Sequence, residues 1–468
     1  MNNNGFGFSF NFGGGDDDRD KNNPGGGLGD MLNQLGNMLS GMGNTMSSGD
    51  ASPVNYSLAE RIARQEISGQ QRKNPAPAQP DDTQRAQEAA QLVELWLEEH
   101  TILPASNNQV TNWDAERWLQ ETLPMWKRMI SPIAESMSQA QLDSIPEEAR
   151  EAMGPMVGMM NQMSSMNFGM NVGHTLGDLA LQIISGTDFG LPLAPTGITA
   201  LLVQNIRRET ADLDIDANDV LYYVAAREVA RQRLFTHVSW LREQLIVSIE
   251  EYAAGLVIDT SHVEEAMREL NIDGGDPAAI QEAMSRLQNS DLSPRITSRN
   301  LQAATRLATL LALIEGWVDY VVTAALEPRM PHVASLDAAW QRRRESGGSA
   351  DRVFSTLAAI EFDTPPVAQA RELWRRVTVA VGVDRRDHIW DHPDFLPGAD
   401  DLENSAEFID GLLDTSDDFD PIAEITKLEE MLQNQKKQEP DNANNASAGD
   451  DTSTGSDSDG ENPDSPQE

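Results

Sequence analysis

From residue 85 to residue 430, Leu, Ile, Val, Trp and Met recur three and four positions apart, and this spacing governs what the chain can fold into. Side chains at i, i+3 and i+4 share one face of a helix, so the stretch predicts successive amphipathic helices turned toward a common core. No convincing β-hairpin or βαβ pattern accompanies it, and the fold class expected is mainly α. Both ends lack such material. Residues 1–55 are rich in Gly, Asn and Met, as in GGGLGDMLNQLGNMLSGMGNTM, and glycine's conformational entropy works against a stable fold there. A disordered head is expected; a short helix over 31–39, docking its Met and Leu on a partner or on the body of the protein, is the alternative. Residues 431–468 are expected to be a disordered acidic tail, since from 439 onward the chain holds acids, Ser, Asn, Gly and Pro and no base.

Between head and body, 56–84 are expected to hold a short amphipathic helix, SLAERIARQEI, and a Pro-rich linker, NPAPAQPDD. The helical domain then runs over 85–430. AQEAAQLVELWLEEHT and NWDAERWLQETLPMWKRMISPIAESM are its first helices, the second opened by Asn112 or Asp114 and disturbed by Pro124 and Pro132. A Met-rich stretch follows, with methionine as adaptable core filler and glycines that permit close helix packing. Further helical patterns cover 194–209, 217–254, 260–270, 276–288, 295–326, 336–346, 350–360 and 366–381.

Composition excludes several functions. A formal charge of -40 and a pI near 4.4 oppose binding to nucleic acid or to an anionic membrane, which need clustered Lys and Arg. The absence of cysteine removes disulfides, thiolate metal sites and a Cys nucleophile. MNNNGFGFSF has no basic start or continuous apolar core of a secretory leader, and no run of about 18 apolar residues stands out as a membrane span. A cytoplasmic location is expected. There is no G-x-S-x-G elbow, P-loop or dinucleotide fingerprint.

Chemistry concentrates in two stretches. In AAREVARQRLFTHVSWLREQL (225–245), Arg227, Glu228 and Arg231 hold the spacing of H-E-x-x-H, in which two imidazoles four residues apart grip a zinc ion and the Glu activates its water. In LLALIEGWVDYVV (310–322), Glu315 and Asp319 lie one helical turn apart.

With AERWLQETLPMW (115–126) and RRDHIWDHPDFLPGADDLENSAEFI (385–409), these stretches resemble the zincin-like hydrolases of actinobacteria, often called zinc-dependent metalloproteases. The resemblance covers most of 85–412 and implies a zincin-like metallopeptidase scaffold. It makes Glu228 a vestigial general base and Glu315 a relic metal ligand, with Asp319 as the acid that orients a ligand histidine. Trp317 stands where intact relatives carry a further His. Arginine is protonated at any working pH and repels a divalent cation, so no metal cofactor is expected. Instead Arg227 or Arg231 is expected to bridge Glu228, Glu315 or Asp319 in a buried charge cluster, with Glu228 and Glu315 facing each other beneath a cleft. The competing reading is a solvated polar face, which requires these side chains to be exposed.

The implied protein is a non-catalytic scaffold that binds a peptide or protein in the old cleft. The alternative is an active hydrolase, with zinc on unexpected ligands such as Glu315 with His388 or His392, or with an acid and base pair and no metal. Those two histidines form the one close His pair, but Pro393 disfavours helical geometry at His392, and a structural role is preferred for the segment. His237 stands ten residues after Arg227, the spacing of a third ligand, yet Leu234 holds the position of the turn glycine in that motif.

Overall fold

The most apolar helix of the chain organises the rest. In the computed structural model, which describes residues 52–73, 78–143, 147–259, 295–346, 353–355 and 364–414, that helix is Leu301–Leu326. Its sequence is hydrophobic on nearly every side, and a helix of this kind must be covered on nearly every side. Length and composition alone qualify it to cross a membrane, which the sequence reading did not anticipate, but 83% of its most apolar window is buried among the other helices. Asn300 caps its start, accepting from Ala303 N at 3.1 Å.

Numbered in chain order, the helices before it are α1 (Tyr56–Lys73), α2 (Asp82–Leu97), α3 (Ala115–Asp143), α4 (Glu147–Gln182), α5 (Val203–Glu209), α6 (Ala217–His237) and α7 (Leu241–Ala254). Leu301–Leu326 is α8, followed by α9 (Val333–Glu345), α10 (Val367–His388), α11 (Ala399–Glu403) and α12 (Ser405–Asp414). α8 packs against α10, α7, α6, α2 and α9, so it forms the axis of the core. Where it crosses α10 there is no room for a side chain: a Cβ on Gly316 would lie 2.6 Å from the Cβ of Ala370. The described residues through Leu413 form one contact unit.

Two short sheets interrupt the helices, contrary to the expectation of no β pairing. β1 (Gln109–Asn112) runs parallel to β2 (Ile198–Leu201), and β3 (Leu256–Asp259) pairs antiparallel with β4 (Arg295–Ser298). Strands of four residues are too short for alternation to register against a helical background, and backbone pairing alone defines them. β2 is flanked on its other side by residues 184–186, with Gly186 N bonded to Ala200 O at 2.9 Å and Leu202 N to Ile184 O at 3.0 Å. The expected helices at 260–270 and 276–288, most of that at 350–360, and the head and tail lie outside the described residues.

α3 continues through Pro124 and Pro132. Pro124 is on the exposed side, where water can bond the carbonyl its missing N–H leaves free. Asp114 is the cap, accepting from Arg117 N at 2.8 Å, whereas Asn112 belongs to β1 and accepts from Val203 N.

α1 is part of the body rather than a preface to it. Its Ala59, Ala63 and Ile67 are fully buried, packed with α1 along α4. α4 meets them with Gly169, Gly173 and Gly177, four residues apart and so on one face. A Cβ on Gly173 would lie 2.7 Å from the Ala59 carbonyl, so the two backbones touch. Gly158, on the same helix, has nothing within 4 Å of its missing Cβ. The same substitution therefore has opposite signs at the two sites. Gly158→Ala is expected to stabilise by up to about 1 kcal/mol through helix propensity. Gly173→Ala is expected to cost about 1–3 kcal/mol through overpacking and to speed hydrogen exchange in α1. Urea unfolding with exchange mass spectrometry measures both.

Candidate functional site

α6 begins at the cap Asp216, which accepts from Asn218 N at 2.8 Å, and runs into the core beside α8. Positions four apart on each helix face the other: Arg227 and Arg231 from α6, Glu315 and Asp319 from α8. Arg231 grips Glu315 with two bonds, Nε to Oε1 at 2.6 Å and Nη2 to Oε2 at 2.8 Å. Arg227 spans both acids, with Nη2 2.9 Å from Glu315 Oε2 and Nη1 2.5 Å from Asp319 Oδ1. Its Nε is buried without a partner, and its guanidinium carbon sits 5.9 Å from the Tyr223 ring centre.

The solvated-face reading fails. Arg227 is 1% exposed, Glu228 0%, Arg231 3%, Gln232 1% and Arg233 1%. α9 closes the outer side of the cluster. Arg344 holds Asp319 through both oxygens, Nη1 to Oδ1 at 3.0 Å and Nη2 to Oδ2 at 2.6 Å, and Arg343 reaches Asp188 Oδ2 at 3.0 Å.

Glu228 stands apart from this network. Neither arginine bonds it; of the three acids named for the bridge, Glu315 and Asp319 are the ones used. Its Oε2 accepts from Thr187 N at 3.0 Å and Thr187 Oγ1 at 2.6 Å, and its Oε1 accepts from Gln232 Nε2 at 3.0 Å. Gln232 in turn accepts from Asn108 Nδ2 at 3.0 Å, just before β1.

The turn after α4 fits between the two halves. Phe189 adopts φ 65°, which is costly for a residue with a Cβ, and stands against the Arg343 guanidinium at 5.7 Å. Gly190 follows at φ 73°, and a Cβ there would lie 3.1 Å from Glu315 Oε1. The segment from Asp188 to Ala194 is buried throughout.

Different surroundings give the acids opposite charge preferences. Burial pushes Asp319 up, but Arg227 and Arg344 outweigh it and hold the carboxyl at about 2. Glu315 is likewise pushed up by burial and pulled below its ordinary value by Arg231 and Arg227. Asp188 ends low for the same reason, through Arg343 and Arg231. Glu228 is raised, because burial there exceeds what Gln232, Thr187 and the more distant Arg231 return.

The other candidates lie elsewhere. His388 ends α10, exposed, its Nδ1 2.6 Å from Asp384 O. His392 lies beyond the helix in extended backbone, φ -141° and ψ 142°, and accepts from Asp394 N. Neither contacts Glu315, and the two rings share no helix face. His237 is exposed at the end of α6. Among the described residues no three His, Cys, Asp or Glu side chains converge as a metal-binding group.

Asp387, beside the His pair, does have a defined role. It accepts from Thr101 Oγ1 at 2.6 Å, Ile102 N at 3.0 Å, Trp317 Nε1 at 2.9 Å and Arg386 Nε at 2.7 Å. This buried carboxylate ties the end of α10 to α8 and to the loop after α2. Trp317 is one of its donors.

The profile of the family described as zincin-like metallopeptidases matches residues 54–409. The chain belongs to this family. A crystal structure described as "a putative hydrolase with a novel fold from Chloroflexus aurantiacus" superposes with a TM-score of 0.54 at 17% identity, covering 78% of this chain and 100% of that one. At that identity the likeness is one of fold. No curated protein matches the sequence. In this zincin-like chain α6 and α8 meet through guanidinium and carboxylate groups.

Removing one member of a buried ion pair leaves the other charged and dry, so Arg231→Met is expected to cost about 3–5 kcal/mol. Adding Glu315→Gln to that variant is expected to restore part of the loss, as a double-mutant cycle in urea will read.

The pH dependence has two parts. Asp319, Glu315 and Asp188 have folded values below unfolded ones of about 3.9–4.3, so their stabilisation is complete above that range and drains away as pH falls toward 2. Glu228 is raised, so its contribution is present below its unfolded value and is lost as pH rises through the folded one. Glu228→Gln is therefore expected to gain stability over wild type as pH rises from 4 to 8 in parallel unfolding curves.

Proposed function

We propose that this zincin-like chain has exchanged its metal centre for a guanidinium cluster and acts without catalysis, as a cytoplasmic scaffold that binds a peptide or protein. The single observation that carries the reading is the saturation of Glu315. Both of its oxygens accept from guanidinium groups, and the positions that supply imidazoles in H-E-x-x-H carry Arg227 and Arg231. Zinc requires about three donors that lack or can lose a proton, and the donor set here does not fit it. Arg227 and Arg231 supply fixed positive charge where the ion would, and so hold α6 to α8 through the same acids.

Glu228 is then a vestigial base. Both of its carboxyl oxygens are engaged, Oε2 by the Thr187 backbone and hydroxyl and Oε1 by the Gln232 amide, in a pocket where burial raises its value. Arg343 and Arg344 close the centre, so a ligand entering the family's cleft must lift α9 from Asp188 and Asp319.

Two measurements on untagged protein purified without chelators test this. Elemental analysis is expected to find no stoichiometric zinc, and hydrolysis of a mixed fluorogenic peptide library is expected to be the same for wild type and Glu228→Gln. About one zinc per chain, or hydrolysis abolished by Glu228→Gln, restores the reading of an active hydrolase with unusual ligands.

A further inference from the structure

α4 carries uncovered methionines on the side that adjoins its glycine face. Met159 is 56% exposed, Met163 56% and Met170 39%, and Met166 is half-buried between them. Steps of four, three and four residues put these side chains along one side of the helix. The Met-rich stretch was expected to fill the core, and these positions do not. Methionine is flexible and polarizable, which suits it to irregular apolar partners. Residues 156–173 contain no acid or base, an uncharged strip on a chain with a formal charge of -40.

The described chain starts beside this strip. Ser52 O accepts from Ser165 Oγ at 3.0 Å, and Asn55 N donates to Ser165 O at 3.1 Å. Ser165 lies between Met163 and Met166 in the helix, so everything before residue 52 is tethered at the stripe. The nearest apolar sequence on that tether is LGDMLNQLGNMLSGMGNTM, residues 28–46. It places Leu28, Met31, Leu32, Leu35, Met38, Leu39 and Met42 at helical steps, and its one charge is Asp30.

We propose that residues 28–46 of this same chain dock on the Met159, Met163, Met166 and Met170 face of α4. The dimensions agree. The stripe spans about 16 Å at 1.5 Å per residue, and Met31 to Met42 covers the same number of helical steps. Residues 43–51 reach up to about 30 Å when extended, enough for the segment to lie along the stripe on either side of its anchor. The glycines of the segment make it a poor helix in isolation, so its order depends on the surface that receives it. A foreign partner faces a high local concentration of this tethered competitor, because attachment makes the contact intramolecular. The inference is independent of the metal question.

The absence of cysteine makes the test direct. In the full chain, Asn37→Cys carries a nitroxide, and the methionine methyl groups are followed by NMR with the reduced label as reference. The methyl signals of Met159, Met163, Met166 and Met170 are expected to be lost in the labelled molecule, and those of Met159 and Met166 regained in the Met163→Asp, Met170→Asp double variant, with circular dichroism confirming its fold. No loss overturns the proposal. Mixing nitroxide-bearing chains without isotope with isotope-labelled chains lacking the nitroxide separates the remaining case: loss of these signals in the mixture means that a second copy is the occupant, which also overturns it.

Discussion

Everything at the centre of this protein depends on one requirement: a charge removed from water must meet its opposite. Arg227 and Arg231 from one helix and Glu315 and Asp319 from another satisfy it jointly, each pair spaced by one turn. The spacing on α6 then fixes the register of α8, since a slide of one turn keeps at most one arginine–acid pair and leaves the other charges buried without a partner. Arg343 and Arg344 extend the requirement to α9, and Asp188 extends it to the turn after α4. Burial of this kind adds little net stability over an apolar core of equal volume, but it restricts the ways the helices can fit. The unpaired Nε of Arg227 shows that the satisfaction is not complete.

On the proposed reading, the same positions would serve a different purpose in an intact zincin-like site, where a cation holds imidazoles and a carboxylate together. Guanidinium groups would then supply a cation in that role while removing Lewis acidity and an exchangeable water ligand. The proposed exchange would let a scaffold keep the acids of the motif without keeping its histidines. Losing the metal and leaving the acids unpaired would place isolated carboxylates in the core, at a cost that folding does not tolerate. Glu228 illustrates the remaining option: a buried carboxyl without a guanidinium in contact shifts toward its neutral form and uses backbone and amide donors.

A second ion network, at Asp387, lies on another side of α8. Trp317 donates to it from the same turn of α8 that sends Glu315 toward α6, so one short stretch, EGW, joins two polar centres across the core. Gly316 between them allows α10 to approach closely. These three neighbours show why α8, apolar as it is, is not a generic core helix. Glu315, Asp319 and the Trp317 indole each have a defined partner.

The helices were legible because a repeat of three and four apolar residues survives any tertiary arrangement, and the motif positions were legible because four residues is one turn wherever the helix lies. Thus Arg227, Arg231, Glu315 and Asp319 were recognisable as a set from sequence, as was the inability of arginine to donate to a metal. Sequence spacing carries no information between segments, so Thr187 beneath Glu228, Arg344 across Asp319 and Asp387 behind Trp317 had no local signal. Arg342, Arg343 and Arg344 look like an ordinary basic helix end until α9 is placed over the cluster. The short strands were hidden because four residues of pairing are defined by the partner's backbone. Sequence by itself determined most of the helices, though not the strands inside the helical patterns at 194–209 and 295–326, and which helical residues share a face; only the tertiary structure decided which charges meet, because pairing across a core is set by distances that no intervals along the chain encode.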